Sequence, residues 1–106
     1  MAKLFAYGTL KDTDIQQNIF GRILKGEPDE LLGYCISEIQ IEEEFGLTNY
    51  PILAESEDPT DVVSGMLFDI TEEDINQADT YEGLHYKRIE VRLASGEIAW
   101  AYIVTN

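Results

Sequence analysis

The segment 98–104, Ile-Ala-Trp-Ala-Tyr-Ile-Val, constrains the fold most, because it is apolar on both faces of a β-strand. Such a strand needs cover on both sides, so it belongs inside a sheet that is packed on both faces. The segment 3–7, Lys-Leu-Phe-Ala-Tyr, has the same character and predicts a second central strand. The chain is therefore expected to fold around a sheet.

Two helices are predicted beside these strands. Apolar residues at helical spacing predict a first helix that is capped near residues 12–13 and closes at residues 25–26. Thr71 and Asp74 have the spacing of a capping box, which predicts the start of a second helix. Gly83 can take the left-handed conformation that ends a helix.

The other strands are predicted at 31–41, 52–54, 62–70 and 86–94. Gly33 predicts an interruption or bend in the first of these, and Gly65 predicts a bulge or a close approach to the backbone. Turns are predicted at 27–29 and 49–51, and the strand at 86–94 forms a hairpin with 98–104. About six strands and two helices predict a single α+β domain over residues 1–106, whose sheet curls towards a small barrel.

Charge and composition narrow the classes of partner. The 106 residues suffice for one domain with its own core. Seven basic and 21 acidic residues give a net charge of −14, which repels nucleic acid and anionic membrane surfaces. No segment approaches the roughly 20 apolar residues of a membrane span, so we expect a cytoplasmic protein. A single cysteine, Cys35, excludes an internal disulfide and is typical of a small buried hydrophobe.

The stretch 79–88 holds one carboxylate among aromatic residues. Glu82 lies where the second predicted helix ends at Gly83 and the next strand begins at Tyr86. Binding and catalytic residues are often placed at such junctions. Glu82 is therefore our candidate for a general base.

A second candidate feature is the loop after the first predicted strand. Successive backbone N–H groups at Gly8, Thr9 and Leu10 could bind an anion, although an ordinary strand-to-helix turn is the alternative interpretation. An anion cradle and a general base would be the two halves of an amino-acid site. The candidate residues are Glu82 for catalysis and Tyr7, Gly8, Thr9, Leu10, Tyr50 and Tyr86 for substrate binding.

Other kinds of site are less well supported. His85 is the sole histidine, and no motif links it to Cys35 or to a serine, which disfavours a serine or cysteine hydrolase. Histidine and cysteine are also too few for a typical zinc site. Carboxylate-only calcium or magnesium binding stays open, but the acidic residues do not form an EF-hand pattern. No metal site is assigned.

The motifs resemble those of the gamma-glutamylcyclotransferase-like superfamily, in particular a small bacterial-type gamma-glutamylamine cyclotransferase. Segment 4–10, Leu-Phe-Ala-Tyr-Gly-Thr-Leu, resembles the opening strand and loop of that superfamily. Segment 79–83, Asp-Thr-Tyr-Glu-Gly, followed by Tyr-Lys-Arg at 86–88, resembles its second signature. Four further motifs fall in the family's order, at 32–34, 50–51, 65–68 and 101–104. The helix after the loop departs from many relatives at residues 16–18.

The resemblance implies a small mixed β-barrel flanked by helices and an enzyme that works without a cofactor. Members convert a gamma-glutamyl compound into 5-oxoproline and release the amine or amino acid. Glu82 would be the general acid and base, and burial beside Tyr81 and Tyr86 should raise its pKa. The N–H groups of the loop would hold the substrate's α-carboxylate or help stabilise the tetrahedral oxyanion.

Two other interpretations stay open. A non-catalytic module could use the same cavity to hold an amino acid or small carboxylate, and it would be favoured if Glu82 formed an ion pair with Arg88 or Lys87. An acidic interaction domain with an empty barrel is the third. The sequence does not fix the leaving group or the oligomeric state.

Overall fold

The structure, a computed structural model, describes residues 2–43, 46–83 and 86–104, with the backbone alone for residues 39, 41–43, 47–51 and 104. A short 3-10 helix, Thr9–Lys11, follows the first strand. The strands are β1 (Ala2–Ala6), β2 (Gly26–Leu32), β3 (Tyr34–Glu43), β4 (Gly46–Glu55), β5 (Val62–Ile70), β6 (Tyr86–Arg92) and β7 (Ile98–Val104), and the helices are α1 (Thr13–Phe20) and α2 (Glu72–Glu82).

Five strands form a mixed sheet in the order β2-β5-β1-β7-β6, and β3 and β4 form a two-stranded ribbon. β1 lies in the centre, antiparallel to β5 and parallel to β7 where Leu4 faces Trp100. Leu4, Phe5 and Ala6 are all buried, which confirms the predicted central strand. The predicted hairpin of β6 and β7 is also confirmed.

Each face of the five-stranded sheet carries its own core. Ile75 and Ala78 of α2 pack on one face with Leu4 and Tyr102. Leu53 of the ribbon packs on the other face with Phe5. Cover on both faces is what the apolar segments at 3–7 and 98–104 require.

The α+β class with two helices is confirmed, but the sheet is not closed into a barrel within the described residues. The seven strands described, against about six expected, arise partly at Gly33. Its φ of +80° divides the segment predicted as one strand into β2 and β3, and the chain leaves the sheet there. β2 and β6 are the two edge strands of the five-stranded sheet. Neither helix in the described part is long and apolar enough to cross a bilayer.

Both predicted proline turns were wrong, because each proline lies within a strand. Pro28 faces Met66 from β2, an edge strand, and Pro51 faces Glu38 in the two-stranded ribbon. Proline lacks a backbone N–H, so it is tolerated where a strand has a neighbour on one side only.

The first helix is shorter than predicted. It ends at Phe20, because Gly21 takes a φ of +73° and its N–H bonds to the carbonyl of Gln17. Ile23 therefore lies outside the helix. Gly65 fulfils its prediction: a Cβ there would lie 2.6 Å from the carbonyl oxygen of Ala6, so β5 passes very close to β1.

Candidate active site

Helix α2 brings Glu82 to the site. The predicted capping box is present, since the Asp74 N–H donates to Thr71 Oγ1 at 3.1 Å and the Thr71 N–H donates to Asp74 Oδ2 at 2.9 Å. Ala78 is buried against the sheet, which fixes one side of the helix. Glu82 is the last helical residue, and Gly83 ends the helix as predicted, with a positive φ of +75° but with a ψ of −161° that differs from the left-handed helical conformation.

The Glu82 carboxyl group has the properties of a proton carrier. Burial raises its pKa from 4.5 to about 7. In the described part of the chain no cation pairs with it. The carboxyl end of a helix disfavours negative charge as well, and the last turn of α2 holds no basic residue. Near neutral pH the group therefore exists in both protonation states and can accept and return a proton.

Three tyrosines lie within the electrostatic reach of Glu82. Burial is the largest cause that raises the pKa of Tyr7, Tyr86 and Tyr102, and the charge of Glu82 raises it further in each. Two of them, Tyr7 and Tyr86, are among the residues that the sequence suggests as candidates for substrate binding. The fold thus brings together groups that are far apart in the chain.

The Tyr7 hydroxyl holds three strands together. It donates to the backbone carbonyl of Tyr102 at 2.7 Å and accepts from the Leu53 N–H at 3.2 Å. The end of β1 is thereby tied to β7 and β4. Because its proton is already donated, Tyr7 can offer a ligand its ring or its remaining lone pair.

The loop after Tyr7 presents a run of backbone N–H groups. The N–H groups of Gly8, Thr9 and Leu10 have no backbone acceptor among the described residues. A Cβ at Gly8 would meet no atom within 4 Å, so there is open space beside this backbone. The Thr9 hydroxyl lies 2.8 Å from the Tyr81 hydroxyl, which joins the loop to the residue before Glu82.

A buried glutamine supports the loop from behind. The side chain of Gln16 is 1% exposed, donates to the Leu10 carbonyl at 2.9 Å and accepts from the Leu24 N–H at 2.9 Å. In the sequence, residues 16–18 stand out only as a departure from relatives, and this role of Gln16 was not predicted. A signal was present, because Gln16 lies three and four positions before apolar Ile19 and Phe20 and so shares their side of the helix.

The two basic residues of the stretch 79–88 do not pair with Glu82 in the described structure. Arg88 instead pairs with Asp79 at 3.4 Å and lies over the Trp100 ring at 4.4 Å from its centre. The ion pair that would have favoured a non-catalytic module is therefore not found there. The Tyr50 side chain and all of His85 lie outside the described residues.

Comparisons with known proteins give a family. The sequence model of the family described as "Gamma-glutamyl cyclotransferase, AIG2-like" matches residues 4–106. No curated protein matches the chain.

Solved structures share the fold. A structure named gamma-glutamyl cyclotransferase is similar with a TM-score of 0.77 and 19% identity over 99% of this chain. An uncharacterized protein from Homo sapiens gives 0.79 and 20% over 99%, and a protein from Arabidopsis thaliana gives 0.77 and 21% over 97%. This chain spans 67% of the first two proteins and 61% of the third.

Proposed function

We propose, from the premise that the chain belongs to the gamma-glutamyl cyclotransferase, AIG2-like family, that it is a cyclotransferase. It would convert a gamma-glutamyl amine or gamma-glutamyl amino acid into 5-oxoproline and free amine, without a cofactor. One structural neighbour is named gamma-glutamyl cyclotransferase, which agrees with this reaction class.

In the proposed reaction the substrate's neutral α-amine attacks its own γ-carbonyl carbon. Glu82 takes a proton from the attacking nitrogen as the new C–N bond closes the five-membered ring. It gives that proton to the departing nitrogen as the old γ-carbon to nitrogen bond breaks, so no other reactant is needed. The α-amine has a reference pKa of about 8, so a base with a pKa near 7 suits the transfer far better than one near 4.

The loop supplies hydrogen-bond donors for the negative charge of the substrate. The N–H groups at Gly8, Thr9 and Leu10, which have no backbone acceptor in the described part of the chain, would hold the α-carboxylate of the glutamyl group or the developing oxyanion. Holding the glutamyl chain curled against Tyr7 and Tyr86 brings the amine to the carbonyl. Because the attack is intramolecular, this confinement supplies much of the rate.

One observation carries the proposal: Glu82 combines a pKa near 7 with the absence of a cationic partner among the described residues, beside the tyrosines that flank the loop. A carboxylate with a structural role is normally paired, and a surface carboxylate keeps a low pKa. Perturbed carboxyl groups in a cleft are typical of catalytic acids and bases.

The test is 5-oxoproline release from a panel of gamma-glutamyl amines, gamma-glutamyl amino acids and glutathione. Wild type, Glu82→Gln and Glu57→Gln should be compared, since Glu57 is an exposed loop residue and its change removes the same charge. Release by wild type and Glu57→Gln, with loss in folded Glu82→Gln, supports the proposal.

The alternative, a non-catalytic module for an amino acid or small carboxylate, makes a different prediction. It requires no release from any panel member, together with binding of a small carboxylate that survives in Glu82→Gln. Isothermal titration with glutamate and 5-oxoproline on the same three proteins measures that binding.

A further inference from the structure

The last turn of α2 carries two carboxylates, Asp79 and Glu82, at the end where the helix dipole disfavours negative charge. Residues three apart lie on the same side of a helix, so both point in a similar direction. A helix end selected for stability alone would carry Lys or Arg there. This placement needs another reason.

Asp79 is bound to both strands of the hairpin. The Tyr102 hydroxyl of β7 donates to Asp79 Oδ1 at 2.7 Å, and Arg88 of β6 lies 3.4 Å from Oδ2. Arg88 is itself held by its stacking over Trp100. The turn that carries Glu82 is therefore fastened to the sheet through the side chain of Asp79.

Tyr102 also contacts the loop side of the site. Its backbone carbonyl accepts the Tyr7 hydroxyl at 2.7 Å, immediately before Gly8. One residue of β7 thus joins the helix that carries Glu82 to the start of the anion-binding loop. These two bonds, together with the contact between the Thr9 and Tyr81 hydroxyls, help to set the distance between Glu82 and the loop.

We propose that Asp79 and Tyr102 are positioning residues for the reaction, which hold the end of α2 so that the Glu82 carboxyl group stays close to Tyr7. The inference rests on the proposed function. It goes beyond that function because neither side chain is given a part in the chemistry.

The contact has a role that can be separated from stability. The side chains of Asp79 and Arg88 are 41% and 26% exposed and border a surface cavity of about 430 Å³ that Gly83 and Tyr86 also line. Ion pairs reached by water contribute little to the stability of a fold. Orientation of the last helical turn is therefore the main effect expected of the Asp79–Arg88 pair, whereas the hydroxyl of Tyr102, a residue only 5% exposed, contributes to stability as well as to orientation.

The test variant is Tyr102→Phe, which keeps the ring and removes only the hydroxyl. A loosened helix end should misplace Glu82 and lower kcat about 10- to 100-fold, while KM changes by about twofold or less. Water should also reach Glu82 more easily and lower its pKa, so the acid limb of the kcat profile should move to lower pH. The groups that face Glu82 in the described structure are Tyr7, Tyr86 and Tyr102, with Asp79 and Tyr81 on its own helix.

Two substitutions of Asp79 distinguish the effect of its hydrogen bond to Tyr102 from the effect of its negative charge. Asp79→Asn keeps an acceptor for the Tyr102 hydroxyl and should retain most of kcat, whereas Asp79→Ala also removes the pair with Arg88 and should lose at least as much as Tyr102→Phe. The double variant Asp79→Ala with Tyr102→Phe should lose no more than Asp79→Ala alone, because Asp79→Ala already removes the bond to the Tyr102 hydroxyl. Asp69→Ala is the matched control, since it breaks an exposed bond of 2.7 Å, to Lys3.

A measurement independent of turnover completes the test: the carboxyl titration of Glu82 by carbon-13 NMR. The proposal expects the Glu82 pKa to fall in Tyr102→Phe and Asp79→Ala and to stay in Asp69→Ala. It is overturned if Tyr102→Phe changes only the melting temperature and leaves both kcat and this titration as in wild type. If wild type releases no 5-oxoproline, the proposed function fails, while the titration still decides whether Asp79 and Tyr102 position Glu82.

Discussion

The raised pKa of Glu82 predicts that Glu82→Gln becomes more stable relative to wild type as the pH rises. The folded state binds the Glu82 proton up to a pH of about 7, whereas the unfolded chain releases it at about 4.5. Between these values the folded state holds more protons than the unfolded state, so the free energy of unfolding of wild type falls with increasing pH. Glutamine does not ionise, so the variant lacks this loss.

The magnitude follows from the pKa values. A change from 4.5 to about 7 corresponds to an upper limit of about 3 kcal/mol, since each tenfold change in proton affinity is about 1.4 kcal/mol. Glu82 is only partly buried, so solvent reduces this figure to about 2 kcal/mol. The advantage of Glu82→Gln should be below about 1 kcal/mol at pH 5 and about 2 kcal/mol at pH 8.

Urea unfolding followed by the fluorescence of Trp100, the single tryptophan, measures the difference at both pH values. Any packing cost of the amide is the same at each pH, so the change between pH 5 and pH 8 is the quantity of interest. Glu57→Gln should show almost no such change. A difference for Glu82→Gln that is independent of pH would refute the reasoning, because the carboxyl group would then titrate alike in both states.

Three further predictions concern residues that form or support the site. Gly8→Ala places a methyl group in open space, so the melting temperature should stay nearly unchanged. The methyl group should raise KM for 5-oxoproline release roughly tenfold, or about 1.4 kcal/mol, because the loop contacts the substrate there. An unchanged KM would mean that the substrate does not bind beside Gly8. Gln16→Leu leaves the Leu10 carbonyl and the Leu24 N–H without their hydrogen-bond partner. The free energy of unfolding measured in urea should therefore fall by about 2 kcal/mol. An unchanged value would mean that water replaces the hydrogen bonds of the side chain. Arg22 holds the pKa of Asp74 at about 2, so Arg22→Ala should lower the free energy of unfolding by about 1 kcal/mol at pH 7. In thermal unfolding this loss should shrink as the pH falls from about 3.8 through 2, because Asp74 becomes protonated. A loss that is constant with pH would contradict the pairing.

Local patterns predicted the elements that local physics decides. Three such elements are the capping box of Thr71 and Asp74, the end of α2 at Gly83 and the turn at 95–97 between β6 and β7. Each depends on residues close in sequence. The end of α1 was misplaced because apolar residues continue past Gly21, and periodicity alone does not show where a glycine turns left-handed. Pro28 and Pro51 were misread because edge position is a property of the assembled sheet.

The residue types of the candidate site can be proposed from the sequence, but the connections between them cannot. The aromatic neighbours of Glu82 indicated a raised pKa, and the structure agrees. The bonds from Tyr7 to Leu53 and Tyr102, and from Tyr102 to Asp79, join distant segments and leave no periodic trace in the sequence. For Gln16, the spacing from Ile19 and Phe20 indicates a buried side chain, but its partners Leu10 and Leu24 lie outside helix α1 and leave no such pattern.

The most direct test of the account is the pH dependence of kcat for 5-oxoproline release at saturating substrate. Glu82 must be ionised to take a proton, so we predict that kcat rises through a pKa near 7 and that release is lost at every pH in folded Glu82→Gln. An acid limb near 4.5, or turnover by Glu82→Gln comparable with wild type, would contradict the assignment of Glu82 as the general acid and base.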